Sequence, residues 1–180
     1  MLNELTQDMN QMHEQLFFSS TAQSLLSDKL TDEHFLNCLV DRHCFSDAVT
    51  YLAHTLEHSD GIRWARACIS NYSPELTVND SYLLTSVTNW LNNPTLSNRE
   101  RVLPNHTVQQ STPAMWLALA SYWSGDSELI KDGQPENLVN NAIYSTIMML
   151  MQQITEADQY RVYLAVINSG IDILLERRLN

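Results

Sequence analysis

Residues 112–125, Thr-Pro-Ala-Met-Trp-Leu-Ala-Leu-Ala-Ser-Tyr-Trp-Ser-Gly, carry no charge and hold two of the chain's four tryptophans. Thr112 is a good helix N-cap. Pro113 suits the first helical position, where its missing N–H would find no partner anyway. Gly125 reads as the stop, a left-handed C-cap that glycine enters without a Cβ clash. Between these limits Trp116, Leu119, Ala120 and Trp123 form one face. Ala114, Ala118 and Ser121 form a small-residue face against which another helix can pack closely. A helix that is apolar all round belongs inside a protein. A chain built on such a segment must wrap it with other helices.

The rest of the sequence supplies them. Only four glycines and five prolines occur in 180 residues, few for a turn-rich β protein. Leu2, Leu5, Met9, Met12 and Leu16 follow a 3-4-3-4 spacing, the narrow apolar stripe of a docking or coiled-coil helix. Further helices are expected over residues 22–30, from the cap Thr31 to about Arg42, and from the cap Ser46 with Ala48, Leu52 and Leu56 inward. Gly61 is expected to break the chain before a short helix over residues 62–69, with Trp64 and Cys68 on one face. The next spans residues 77–91, with Tyr82, Leu83, Val87, Trp90 and Leu91 as its apolar set, and Asn92-Asn93-Pro94 ends it.

Residues 95–107 are ambiguous, because Ser97 could cap a helix that Pro104 would interrupt. After the Trp-rich helix a polar loop runs over residues 126–134. Pro135 opens a long helix along Val139, Ile143, Ile147, Leu150 and Ile154. Thr155 with Asp158 makes a capping-box-like start for the last helix. Its expected buried face is Tyr160, Tyr163, Leu164, Ile167, Ile171 and Leu174. No alternating strand pattern occurs. The expected fold is an all-α, single-domain irregular bundle of seven to nine helices around a buried Trp-rich helix, with an N-terminal amphipathic helix over residues 1–20 and a helical domain over 21–180.

The formal charge of −11 is uneven. It divides as −8, +1 and −4 over successive sixty-residue thirds. An acidic surface repels phosphate backbones, so nucleic acid is excluded as a partner, while encounter with a basic protein is accelerated. Three cysteines, Cys38, Cys44 and Cys68, make no paired framework and imply reduced thiols. With no signal peptide and no membrane-length apolar run, a cytoplasmic location is expected.

Two clusters could carry chemistry. His54-Thr55-Leu56-Glu57-His58 matches H-x-x-E-H, in which two imidazoles on one helical face hold zinc beside a glutamate base. A third ligand is not identifiable, and two exposed histidines on a final helical turn explain the same residues. His34, Cys38, His43 and Cys44 lack the usual zinc spacing and read as core cysteine and surface histidine. There is no phosphate-cradling glycine loop and no G-x-S-x-G elbow, so no cofactor and no catalytic residue are expected. Met148, Met149 and Met151 point round their helix, with Met151 inward.

Trp64-Ala-Arg-Ala-Cys68, Trp90-Leu-Asn-Asn-Pro94, Thr112-Pro-Ala-Met-Trp116 and Tyr122-Trp-Ser-Gly125 together resemble the signature of an uncharacterised family of bacterial helical proteins. The resemblance covers residues 45–155, and its last motif is the most specific. It implies a place in loci related to type VI secretion, and an accessory or adaptor role. It assigns no catalytic residues. The loop after Trp-Ser-Gly is charged here, where related chains are proline-rich.

These readings converge on a non-enzymatic interaction protein, an adaptor or chaperone of a secretion apparatus whose partner is a secretion component or an effector. Two surfaces are expected to bind: the stripe Leu2, Leu5, Met9, Met12 and Leu16, which could also pair with its own copy in a homo-oligomer, and the rim of Trp116 and Trp123 with Asp126. The alternatives are an immunity-type protein that neutralises a basic toxin through the acidic N-terminal third, and a zinc hydrolase built on His54, Glu57 and His58.

Overall fold

Side-chain hydroxyls mark most of the helix starts. Ser19, Thr31, Thr77, Thr95 and Thr112 each accept a backbone N–H from the first turn that follows, satisfying a donor the helix itself leaves over. The computed structural model describes residues 18–26, 30–103, 111–125 and 135–179. Among them are nine helices and no strand: α1 (Ser20–Leu25), α2 (Asp32–Asp41), α3 (Phe45–Thr55), α4 (His58–Tyr72), α5 (Val78–Asn92), α6 (Leu96–Val102), α7 (Pro113–Trp123), α8 (Pro135–Gln152) and α9 (Glu156–Leu179). The all-α bundle is as expected.

Helix α8 is the axis. It packs on α7, α4 and α3, with Val139, Ala142, Ile143, Ile147, Leu150 and Met151 all buried. Helix α7 lies between α8, α5 and α4, and α9 closes the other side over α2, α3 and α4. Trp64 of α4 is 1% exposed and donates its indole N–H to Val166 O and Ser169 Oγ of α9, at 3.0 and 3.1 Å. An aromatic ring can be buried whole only when its polar handle is met.

Two glycines do something other than stop helices. Gly61 lies inside α4, and a Cβ there would come within 2.8 Å of Ile143 Cδ1. The expected break is therefore a close crossing of α4 over α8, where even a methyl group at position 61 would make the end of the Ile143 side chain move. Gly125 is not left-handed either, since no described glycine has a positive φ. A Cβ there would collide with the Arg99 guanidinium.

Other boundaries moved for local reasons. The helix expected over residues 22–30 covers only Ser20–Leu25. Thr95, not Ser97, caps α6. The cap of α3 is Cys44, without a side-chain hydrogen bond, and Ser46 pairs instead with the Tyr144 hydroxyl at 2.9 Å. Thr155 donates to the Asp158 carboxylate at 3.0 Å at the start of α9, as the sequence suggested.

One buried carboxylate was not anticipated. Asp80 closes a capping box with Thr77 and also accepts from Thr112 Oγ1 at 2.7 Å. The N-terminal caps of α5 and α7 thus share a single anion, placed where both helix dipoles favour negative charge.

Candidate functional site

The loop joining α2 to α3 contains the one positive-φ residue among the described non-glycines. His43 sits at φ 57°, and its N–H and that of Cys44 bond back to Val40 O and Leu39 O at 2.9 and 2.8 Å. That is a Schellman ending with histidine where glycine is usual. A left-handed L-residue costs on the order of 1 kcal/mol. The imidazole so placed meets Phe45 and Tyr160, with ring centroids 5.6 and 5.7 Å away. Phe45 meets Tyr160 edge-on at 5.7 Å and stacks on Tyr163 at 5.0 Å and 13°.

Four rings from three elements therefore form one connected corner where the α2–α3 loop and α3 meet α9. Tyr160 is 52% exposed and His43 is exposed, while Phe45 and Tyr163 are half-buried. The Tyr163 hydroxyl lies 4.0 Å from Met148 Sδ, and burial with the neighbouring Tyr144 raises its pKa. The corner is a rigid aromatic surface, anchored by Phe45 and Tyr163 and capped by groups open to water. Flat, stiff, amphipathic rings are the side chains that dominate protein recognition.

Sequence periodicity placed Tyr160 and Tyr163 on the buried face of α9. The buried stripe is Val162, Val166, Ile167, Gly170, Ile171 and Leu174, rotated away from Tyr160. Tyr82 of α5, read as part of that helix's apolar set, is also turned outward, 52% exposed. The missed signal was a histidine in a Schellman position two residues before Phe45.

The expected site residues are distributed as follows. Leu2, Leu5, Met9, Met12, Leu16 and Asp126 lie outside the described residues. Trp116 and Trp123 are half-buried on the outer side of α7, packed against the core, while Ala114, Leu117, Ala118, Ala120 and Ser121 are its buried side. The small-residue face is what the bundle wraps, so the Trp face is the outer one. Trp116 donates its N–H to Ser111 Oγ at 2.9 Å.

His54-Thr-Leu-Glu-His58 does not lie on one helix. Helix α3 ends at Thr55, Leu56 is extended and buried, and Glu57 is the N-cap of α4, so His54 and His58 belong to different helices. Leu56 causes the break: it drops into the core at the step between helices. The i, i+4 premise of the zinc pattern therefore fails. No group of three or more His, Cys, Asp or Glu side chains placed to hold a metal occurs among the described residues. The same applies to His34, Cys38, His43 and Cys44. Cys38 and Cys44 are half-buried, and Cys68, packed inside α4, has its thiol pushed up to about 12 by burial.

The α3–α4 step instead opens a cleft of about 430 Å³ lined by His54, Thr55, Leu56, Glu57, His58, Ser59 and Asn140. Asn140 Nδ2 lies 3.3 Å from His54 Nδ1. Burial lowers the pKa of His54, opposed by a hydrogen bond with Asn141, so the ring is held toward its neutral form.

The family model for a family of unknown function, DUF6931, matches residues 35–174. The chain belongs to that family. The match takes in α2 to α9 almost entirely, and with them the aromatic corner and the cleft. No curated protein and no solved structure matches the chain. No described helix is long and apolar enough to cross a membrane.

Proposed function

We propose that this protein acts by binding another protein and performs no chemistry of its own, as an adaptor or chaperone of a bacterial secretion apparatus of the type VI kind. The resemblance of its Trp-containing motifs supports that setting. The observation that carries the binding reading is the aromatic corner, where a histidine is kept in a left-handed turn position to stand against Phe45 and an exposed Tyr160. A rigid aromatic surface loses little conformational entropy when a partner covers it.

The test is retention of a partner by tagged full-length protein from native cytosol, comparing wild type with Tyr160→Ala. Wild type retains a stoichiometric partner, and Tyr160→Ala loses it with an unchanged melting temperature. Equal retention by both proteins overturns the assignment of the corner. A captured substrate turned over by the protein would overturn the non-enzymatic reading.

The acidic balance favours a second reading, an immunity-type protein against a basic toxin. It requires an association rate that falls steeply between low and physiological salt. A salt-independent rate removes it.

A further inference from the structure

Helix α5 presents a face that the interaction reading leaves unused. It carries one charge in 15 residues, Asp80, and that carboxylate is buried where the caps of α5 and α7 meet. Val78, Ser81, Tyr82, Thr85 and Asn89 are all exposed, one stripe at helical spacing opposite the buried Leu83, Val87 and Trp90. Val78 is 91% exposed and Tyr82 52%, with Leu76 also exposed just before the helix. An uncharged face with large apolar side chains this open stands out on a chain of net charge −11.

The hydroxyls along this face are already satisfied from within. Ser81 donates to Thr77 O at 3.0 Å, Thr85 to Ser81 O at 2.8 Å and Thr88 to Leu84 O at 2.7 Å. Covering them strands no hydroxyl proton, so removing water from the face costs little. The face also matches itself. Val78 and Tyr82 form a row of large side chains, and Ser81 and Thr85 form the row beside it with small ones. Opposite charges flank the two ends. Glu75 is exposed before the N-terminus, and Arg66 of α4 reaches Thr88 Oγ1 at 2.6 Å toward the C-terminal end.

We infer that α5 docks on α5 of a second copy of this chain, antiparallel, across a two-fold axis between Ser81 and Tyr82. That crossing sets Val78 of each copy against Thr85 of the other and Tyr82 against Ser81, the large row over the small one. It brings position 75 to the level of position 88, so Glu75 of each copy faces the Arg66 held at Thr88 of the other. A different protein would have to supply both charges in the same order, whereas a second copy supplies them by symmetry. Two chains of charge −11 repel over most of their surface, but along α5 no acid meets an acid. One helix crossing is small for a specific interface, so the dimer is a weak one, with a Kd of about 10–100 µM.

The test is sedimentation of the full-length protein at physiological salt, from about 5 to 500 µM. Wild type is expected to pass from monomer to dimer over that range. Tyr82→Glu should weaken the dimer at least about tenfold with an unchanged melting temperature, while Tyr160→Ala should leave it intact. Glu75→Arg and Arg66→Glu should each weaken it about threefold, and the two together should restore it, because the swap rebuilds both pairs. A monomer at every concentration overturns the proposal, as does a dimer indifferent to Tyr82→Glu. A double swap weaker than either single one overturns the antiparallel arrangement. A dimer lost with Met9→Glu as well as with Tyr82→Glu puts the N-terminal stripe on α5 and overturns the two-fold crossing. These outcomes are independent of whether Tyr160 holds a protein partner.

Discussion

The α4–α9 seam and the α3–α9 corner use the same kinds of side chain to opposite ends. In the seam Trp64 is enclosed, both acceptors for its N–H come from α9, and Gly170 is bare so that the ring can lie close, its position 2.7 Å from Leu52 Cδ1 and 3.2 Å from Trp64 Cε2 if a Cβ were added. At the corner Phe45, Tyr160, Tyr163 and His43 also meet ring to ring, yet the outer pair stays in water and the backbone accepts a left-handed turn to place one of them. The seam converts aromatic area into stability. The corner holds aromatic area ready on a scaffold that the seam has already made rigid.

The contrast breaks most visibly at Trp64. Trp64→Ala should cost about 3–5 kcal/mol, read by chemical denaturation, because it leaves both a cavity and two acceptors on α9 without their donor. A loss below about 1 kcal/mol would mean that the seam is not what holds α9 to the bundle.

Asp80→Ala should cost about 1–3 kcal/mol by the same measurement, since one carboxylate serves the caps of two helices. Thr112→Val, which removes the link together with the cap at Met115 N, should cost about 0.5–2 kcal/mol. A loss below that range for both variants would show that the shared carboxylate contributes little.

At the corner the signs separate. His43→Gly relieves the left-handed strain and should leave stability unchanged or raise it by up to about 1 kcal/mol, while partner retention falls. If it destabilises the protein by more than that, the imidazole is packing material and the corner resembles the seam.

The smallest effect is chemical rather than energetic. Burial holds Cys68 protonated up to about 12, so thiol reagents should label Cys38 and Cys44 first and reach Cys68 only when the protein opens globally. The folded pKa lies above the ordinary 9.0, so the stability tied to the protonated thiol is complete below that pH and is lost as pH rises toward about 12. Labelling of Cys68 at the rate of Cys38 at neutral pH would show that the seam breathes locally.

The bundle was legible because helix starts are local chemistry. Thr31 and Thr112 cap where the sequence placed them, Pro135 opens α8, and the stripe Val139, Ile143, Ile147 and Leu150 is the buried one. The candidate sites were much less legible. Periodicity counts tyrosine as apolar and cannot tell an inward Tyr160 from an outward one, since α9 has apolar residues on more than one side. The step between α3 and α4 was expected at Gly61 and falls instead at Leu56, which is extended and buried there.

What the sequence by itself determined is the helical class, most of the segment limits, and the apolar stripe of α8, all of which follow from interactions within a few residues. What only the tertiary structure decided is how those helices cross and which faces are left over. Gly61 and Gly125 became contact points rather than stops because Ile143 and Arg99 approach them from distant helices. His54 and His58 were parted because Leu56 had a core to enter, and Tyr160 was left outside because Val162 and Val166 filled the space beneath α9. Burial is a property of the packed whole, and a residue's neighbours in sequence do not fix which side of it the others will cover.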